Sequence, residues 1–447
     1  MNQKLTARQL ALVGSMLFGL FFGAGNLIFP LILGAKAGVV LPAALAGLLV
    51  TAVGIPLLGI VSIGISRSEG LIDLSGRVSR RFCYFFTCAL YLTVGPLFAI
   101  PRCAATSFTI GLRPLVGERP LVPQVIFTVL FFAAVLFFAL RPSKILESVG
   151  KFLNPAFLLF LGVMLVTALV KPVNALTVAP AAGDYAHGAF FAGFLQGYDT
   201  LDALASLAFG IIVVHTIRQL GVTEPGAVAG SAVRAGVVSM ALMALIYTVT
   251  AVVGAQSYEL YAARLADPGF TGGDAFPIIA HHYFGRSGSL ILAATVTLCC
   301  MKTAIGLVTA CAETFSELFP GRLTYARWAV LFTGVSLLIS NIGLAQIIAL
   351  SGPVLYFLCP LSIVLILLGI GGSRFGHARV VYQCTMGASA VAAVLELARA
   401  VGGPCVPLVD WVGTWLPFYR YGLGWVIPAA VGFAAGMALY LSGKKSV

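Results

Sequence analysis

The chain has 447 residues, 60% of them hydrophobic and 9% charged, with a net charge of +12 and a mean hydropathy of +1.02. No water-soluble domain of this length carries so few charges, so the composition specifies an all-α polytopic membrane protein. The basic residues are spread through short loops, which is topology signalling rather than a surface for nucleic acid.

Apolar runs of about 20 residues, the length that crosses a bilayer, predict twelve spans. They lie at 8–34, 39–66, 82–108, 122–140, 151–170, 190–217, 226–254, 288–315, 325–341, 344–370, 379–400 and 422–441. The chain therefore reads as one membrane domain over 1–447, with no room for a soluble one. The polar start, Met1 to Gln9 with Lys4 and Arg8, runs directly into span 1, which is read as retained rather than as a cleaved signal. With the N-terminus inside, 17 of the 27 basic residues fall on the cytoplasmic side: Lys4, Arg8, Arg67, Arg77, Arg80, Arg81, Arg141, Lys144, Lys151, Arg218, Arg234, Arg322, Arg327, Arg374, Arg379, Lys444 and Lys445. The expected location is the cell (inner) membrane, multi-pass, with both termini cytoplasmic.

Span 1 contains Phe21-Phe22-Gly23-Ala24-Gly25-Asn26-Leu27-Ile28-Phe29-Pro30. Two glycines, an asparagine and a proline interrupt a helix where freed backbone groups cost several kcal/mol each unless something binds them. Broken helices of this kind survive where they line a substrate or ion cavity. The alternative is a glycine-kinked packing interface between helices. In span 3, Arg102 follows Pro101. Span 6 carries the second interruption, Gln196-Gly197-Tyr198-Asp199-Thr200-Leu201-Asp202, with Asp199 in the break and Asp202 close behind. Two breaks in corresponding halves predict a five-plus-five inverted repeat, 8–170 and 190–370, with two helices appended at 379–441. The stretch from Gln256 to Gly288 is too long for a simple turn, and is read as either a short external lid or a partly ordered loop.

Amides at a helix N-terminus attract anions, and carbonyls at a C-terminus attract cations. A zwitterionic amino acid would thus present its carboxylate to the Gly23-Ala24-Gly25 amides and its ammonium to carbonyls near Gly197 and Tyr198. Asn26 offers a carbonyl oxygen to a hard cation. Phe21, Phe22, Phe194, Tyr198 and Leu201 make the surroundings apolar, which suits a small apolar side chain and not a sugar or polyphosphate. The candidate substrate site is Phe22, Gly23, Ala24, Gly25, Asn26, Gly197, Tyr198, Asp199 and Thr200. Charged groups inside spans are costly and mark function, so Asp199, Asp202 and Lys302, with the Asn26 carbonyl oxygen, form the ion-coupling set, to which the resemblance given below adds Thr303. A buried structural pair between an aspartate and Lys302 is the plainer alternative. No resident cofactor or metal is expected, and Na+ near Asn26 and Thr303, or H+ in its place, is what the resemblance given below implies. His281 and His282 lack companion ligands, and His187, His215 and His377 fall at span ends. The nine cysteines lie mostly in apolar runs and predict no disulfide framework, Cys405 in a loop being the exception. Constellations of an intramembrane hydrolase are absent, so no enzyme is expected.

Five stretches carry a resemblance. They are Phe22 to Pro30, Gly95-Pro96-Leu97-Phe98-Ala99-Ile100-Pro101-Arg102, Gly197-Tyr198-Asp199-Thr200-Leu201-Asp202-Ala203-Leu204, Thr303-Ala304-Ile305-Gly306-Leu307 and Ser340-Asn341-Ile342-Gly343-Leu344. In this order and spacing the chain resembles, over essentially its whole length, the branched-chain amino acid:cation symporters of the amino acid–polyamine–organocation superfamily. The resemblance implies a leucine-transporter-like fold and uptake of leucine, isoleucine and valine driven by sodium or, in some members, protons. It further implies that the Gly25-Asn26 stretch helps hold the substrate carboxylate and one sodium, and that Thr303 is the hydroxyl of a second sodium site between spans 1 and 8. The chain departs from the family pattern at Cys103, Thr109, Asp199 and Lys302. The Lys302 ammonium is expected to take the space of the span 8 sodium, paired with Asp199, or else Asp199 pairs with the substrate ammonium. The other readings are an uncoupled or proton-linked neutral amino acid permease or exchanger, and a non-transporting amino acid sensor. The expected partners are the amino acid and the lipid bilayer, with no nucleic acid and no obligate protein partner evident.

Overall fold

A computed structural model describes residues 5–66, 68, 70–116, 121–141, 145–403 and 406–445. Lys4, Arg67, Lys144 and Cys405 lie outside the described residues. Helices dominate, and no strand occurs among the described residues. Eight helical stretches are each long and apolar enough to cross a membrane, and the bent pair Tyr185–Thr200 and Asp202–Gln219 makes a further span. Ala7–Phe21, Leu158–Val170 and Tyr325–Ser340 are shorter apolar helices. Gly38, at φ +49°, turns the chain between Ala24–Ala37 and Leu41–Leu49, so the long apolar stretch 24–65 is two spans and not one. With these assignments each of the twelve expected spans coincides with a helix among the described residues.

Span 1 is broken where its sequence is. Ala7–Phe21 ends at Phe22, Gly23 is extended, and Ala24–Ala37 begins a new helix. Span 6 breaks likewise: Tyr185–Gln196 stops, Tyr198–Thr200 forms one tight turn, and Asp202–Gln219 continues at 44° to the first half. The joint is Leu201, at φ +66°, a left-handed conformation that a leucine adopts only under constraint. Two neighbours are themselves irregular. Span 2 has a wide π-helical turn at Val50–Gly54, and span 3 has another at Thr93–Leu97 around Gly95 and Pro96. Such turns free backbone carbonyls and cluster at functional sites.

The first half of span 6 lies backbone to backbone on span 2. A Cβ on Gly193 would stand 1.8 Å from the Ala44 carbonyl oxygen, so only glycine permits this approach. Small-residue contacts of this kind hold helices together where lipid removes the hydrophobic drive. The stretch after span 7 is ordered, with tight turns at Tyr258–Leu260 and Ala262–Arg264 and then the helix Gly272–Leu318, kinked at Gly285. Its first limb, 272–284, rests on span 1 and is tied to the end of span 3 by Asp274 and Arg113 at 2.9 Å. All eight described cysteines are free thiols.

Candidate transport site

The two breaks meet. Asn26, on the first turn of the second half of span 1, accepts the Gly23 amide on Oδ1 at 2.7 Å and so caps its own helix. Its Nδ2 donates to Asp202 Oδ2 at 2.7 Å and also contacts the Tyr247 hydroxyl. Tyr247, from span 7, donates to the same Asp202 oxygen at 2.8 Å. Asn26 and Asp202 are each 2% exposed. Asp202 is thus a carboxylate in the membrane interior, hydrogen-bonded to neutral groups from spans 1 and 7. A buried carboxylate so placed is a ready site for a cation or a proton.

Arg102 closes the other side. It is 3% exposed, and Nη1 donates to the Asp199 backbone carbonyl at 2.7 Å. Its guanidinium lies 5.1 Å from the centre of the Phe29 ring. Nη2 sits where a side chain on Gly25 would begin, 3.1 Å from that position. The arginine therefore bridges both broken spans. A small cavity of about 40 Å³ lies between these groups, lined among others by Gly23, Asn26, Arg102, Asp202 and Thr303. Its volume suits about one water molecule.

Asp199 has two faces. Its carbonyl is held by Arg102, while its carboxylate accepts from Gln196 Nε2 at 2.8 Å, and Gln196 in turn accepts from the Tyr185 hydroxyl at 3.1 Å. That carboxylate borders a second, much larger cavity of about 870 Å³, which opens on the side away from the chain ends. Lys36, Tyr185, Tyr356, Glu396 and Arg420 also line this vestibule. Asp199 lines the vestibule and Arg102 the smaller midplane cavity, and the bond between them links the two linings.

The structure brings several of the expected residues together. Gly23, Ala24, Gly25, Asn26, Thr200, Asp202 and Thr303 line the midplane cavity. Phe22 contributes its carbonyl oxygen, which Thr303 Oγ1 approaches at 3.4 Å and Cys299 Sγ at 3.6 Å, while its ring stacks on Phe18. Others differ. The Gly197 and Tyr198 carbonyls are turned into the tight turn, where Thr200 and the Leu201 amide take them. The carbonyl presented to the middle of the site is that of Asp199. The Tyr198 ring packs between Phe194 and Tyr356, and is absent from the cavity wall.

Lys302 forms no ion pair with Asp199 or Asp202 among the described residues. It is half-buried on span 8, one turn after Cys299, and so stands at the flank of the Phe22–Thr303 contact. The charged side chain that does reach the break is Arg102, on the Asp199 backbone carbonyl, which the sequence marked as an intramembrane charge but not as part of the site. Tyr247 was missed entirely. A tyrosine in an apolar helix has no signature, and its partner Asn26 is 221 residues away. Of the departures from the family pattern, Cys103 lines the cavity, while Thr109 lies beside Gly273 of the 272–284 limb. No cluster of three metal-ligating side chains occurs among the described residues.

The sequence pattern of the family described as branched-chain amino acid transport protein matches residues 6–442. The branched-chain amino acid permease BrnQ of Lactobacillus delbrueckii subsp. lactis is 47% identical, over 97% of this chain and 97% of its own. BrnQ of Bacillus subtilis is 40% identical over the full length of both, and BrnQ of Escherichia coli 35% over 96% and 95%. Among solved structures, a Na+-coupled sialic acid symporter in a substrate-bound outward-open state superposes with a TM-score of 0.57 at 15% identity, covering 98% of this chain and 93% of that one. Mhp1 in its inward-facing conformation gives 0.58 at 12% identity, covering 96% and 91%. At such identities the likeness is one of fold alone. With a full-length family match and relatives near half identical, the chain belongs to the branched-chain amino acid transport protein family.

Proposed function

We propose that this chain is a secondary transporter that imports leucine, isoleucine and valine across the cell membrane by cation symport. The observation that carries the reading is the meeting of two broken spans around Asn26, Asp202 and Tyr247, beside a cavity whose wall includes the apolar side chains of Phe21, Val94, Leu201 and Phe209. Charged and amide groups there match the polar end of an amino acid, and the apolar wall matches an aliphatic side chain. The family and the names of its members support the same substrate class, and a permease rather than an enzyme.

Both termini are cytoplasmic in this reading, so the vestibule opens outward. The two broken spans and the helices bundled with them rock against the remaining spans to expose the site to either side in turn, with 8–170 and 190–370 as the inverted repeat and 379–441 as appended helices. Asp202 receives the coupling cation's charge. Phe22 O and Thr303 Oγ1 supply further oxygens of the kind sodium prefers. In this reading the ammonium of Lys302, from the residue next to Thr303, would substitute for sodium at that second position. Leucine uptake into proteoliposomes tests the reading. Accumulation driven by a sodium or proton gradient supports it. Binding without accumulation would identify a sensor, and exchange without gradient dependence an uncoupled permease.

A further inference from the structure

Arg102 is buried to 3%, yet among the described residues only one of its five N–H donors meets a protein acceptor, the Asp199 carbonyl. A buried guanidinium left so thinly partnered is costly unless another acceptor visits it. Its position is also singular. The vestibule ends at Asp199 and the midplane cavity begins at Arg102, so the 2.7 Å bond between them is part of the wall dividing the two.

The midplane cavity, at about 40 Å³, cannot hold leucine unless a side chain leaves it. Arg102 is the long, rotatable group at the boundary. It lies beside Gly25, at the end of a helix whose first amides already favour an anion. A planar guanidinium adds a fork of donors matched to a carboxylate.

We propose that Arg102 both closes and reads the site: its guanidinium leaves the Asp199 carbonyl to bind the carboxylate of the incoming amino acid. Release of the carbonyl opens the passage from the vestibule. Capture of the carboxylate then holds the amino acid at the first turn after Gly23. A ligand without a carboxylate cannot draw the arginine away. This inference rests on the transport reading above and adds the residue that selects for an α-amino acid over an amine.

The test compares leucine with leucinamide, which keeps the shape and the ammonium but lacks the negative charge. Dissociation constants of both are measured on the full-length protein in lipid nanodiscs, native and Arg102→Gln. The native protein is expected to prefer leucine by about 30-fold or more, the range of hydrogen bonds between charged groups. In Arg102→Gln the preference is expected to collapse to about threefold, through weakened leucine binding and little change for leucinamide. Equal weakening of both ligands, with the preference intact, would make Arg102 merely structural and overturn the proposal. Where Arg102→Gln does not fold, Arg102→Lys keeps the charge but not the fork, and an unchanged preference there overturns the proposal equally. Native protein that binds no leucine at all overturns the transport reading and this inference together, which separates the two failures.

Discussion

The contact that joins the two broken spans can be taken apart one bond at a time. Asn26→Ala removes the cap on the Gly23 amide and one donor to the Asp202 carboxylate. Losing a helix cap costs about 1 kcal/mol, and losing a hydrogen bond to a charged group about 1.5–3 kcal/mol. Together these come to about 2.5–4 kcal/mol, or roughly a hundredfold to a thousandfold at 1.4 kcal/mol per decade if all of it falls on the binding-competent break. We expect leucine affinity, measured on protein that remains monodisperse, to fall by at least about tenfold. Asn26→Asp sets a second carboxylate at 2.7 Å from Asp202 and is expected to be worse still, because two such groups cannot both ionise. Adding Asp202→Asn to that variant restores one amide and one carboxylate in exchanged positions, and should recover most of the loss. Affinity within threefold of native in Asn26→Ala, or no recovery in the exchanged pair, would refute the claim that this contact organises the site.

Three further outcomes follow from other parts of the molecule. Gly193→Ala places a methyl 1.8 Å from the Ala44 carbonyl and should destabilise the contact between spans 2 and 6 by about 1–3 kcal/mol, seen as a lower melting midpoint in detergent; an unchanged midpoint contradicts the close approach. Lys302→Thr removes the ammonium beside Cys299 and should raise the sodium stimulation of leucine uptake, whereas an unaltered ion dependence removes Lys302 from coupling. His377, in the turn between spans 10 and 11, has its pKa lowered by burial and by Arg77, whose Nη1 is 2.6 Å from its Nδ1. A histidine held neutral in the fold binds more protons when unfolded, so stability rises with pH through its titration. The contribution is complete above the ordinary value near 6.5 and is lost as pH falls through the lowered one. Melting midpoints should therefore drop on acidification below about pH 6.5, and His377→Gln should flatten that dependence; an identical slope in the variant contradicts it.

The breaks were legible because glycine, asparagine and proline are poor helix formers in a setting where every backbone group must be satisfied. Gly23, Asn26 and the stretch from Gln196 to Asp202 therefore marked their own positions. What they could not reveal is which carbonyl faces inward. Thr200 and the Leu201 amide close the turn on Gly197 and Tyr198, and this leaves Asp199 to Arg102. Leu201 itself gives no sign of its left-handed conformation, because nothing in a leucine favours it.

Partners across long separations were the least legible. Charge complementarity suggested Lys302 for Asp199, but helix phase turns Lys302 to the flank of span 8, while span 3 brings Arg102 to the break from 97 residues away. The stretch from Gln256 to Gly288 had two readings in the sequence. Its order rests on tertiary contacts: the Tyr261 side chain is buried and donates to the Gly254 carbonyl, and Asp274 pairs with Arg113.

The most direct measurement is leucine uptake by the full-length protein in sealed proteoliposomes, first under an inward sodium gradient, then under an inward proton gradient with sodium absent. The account predicts accumulation above the external concentration under one of these gradients, abolished by Asp202→Ala. Equilibration without accumulation under both, or gradient-driven accumulation that survives Asp202→Ala, would contradict it.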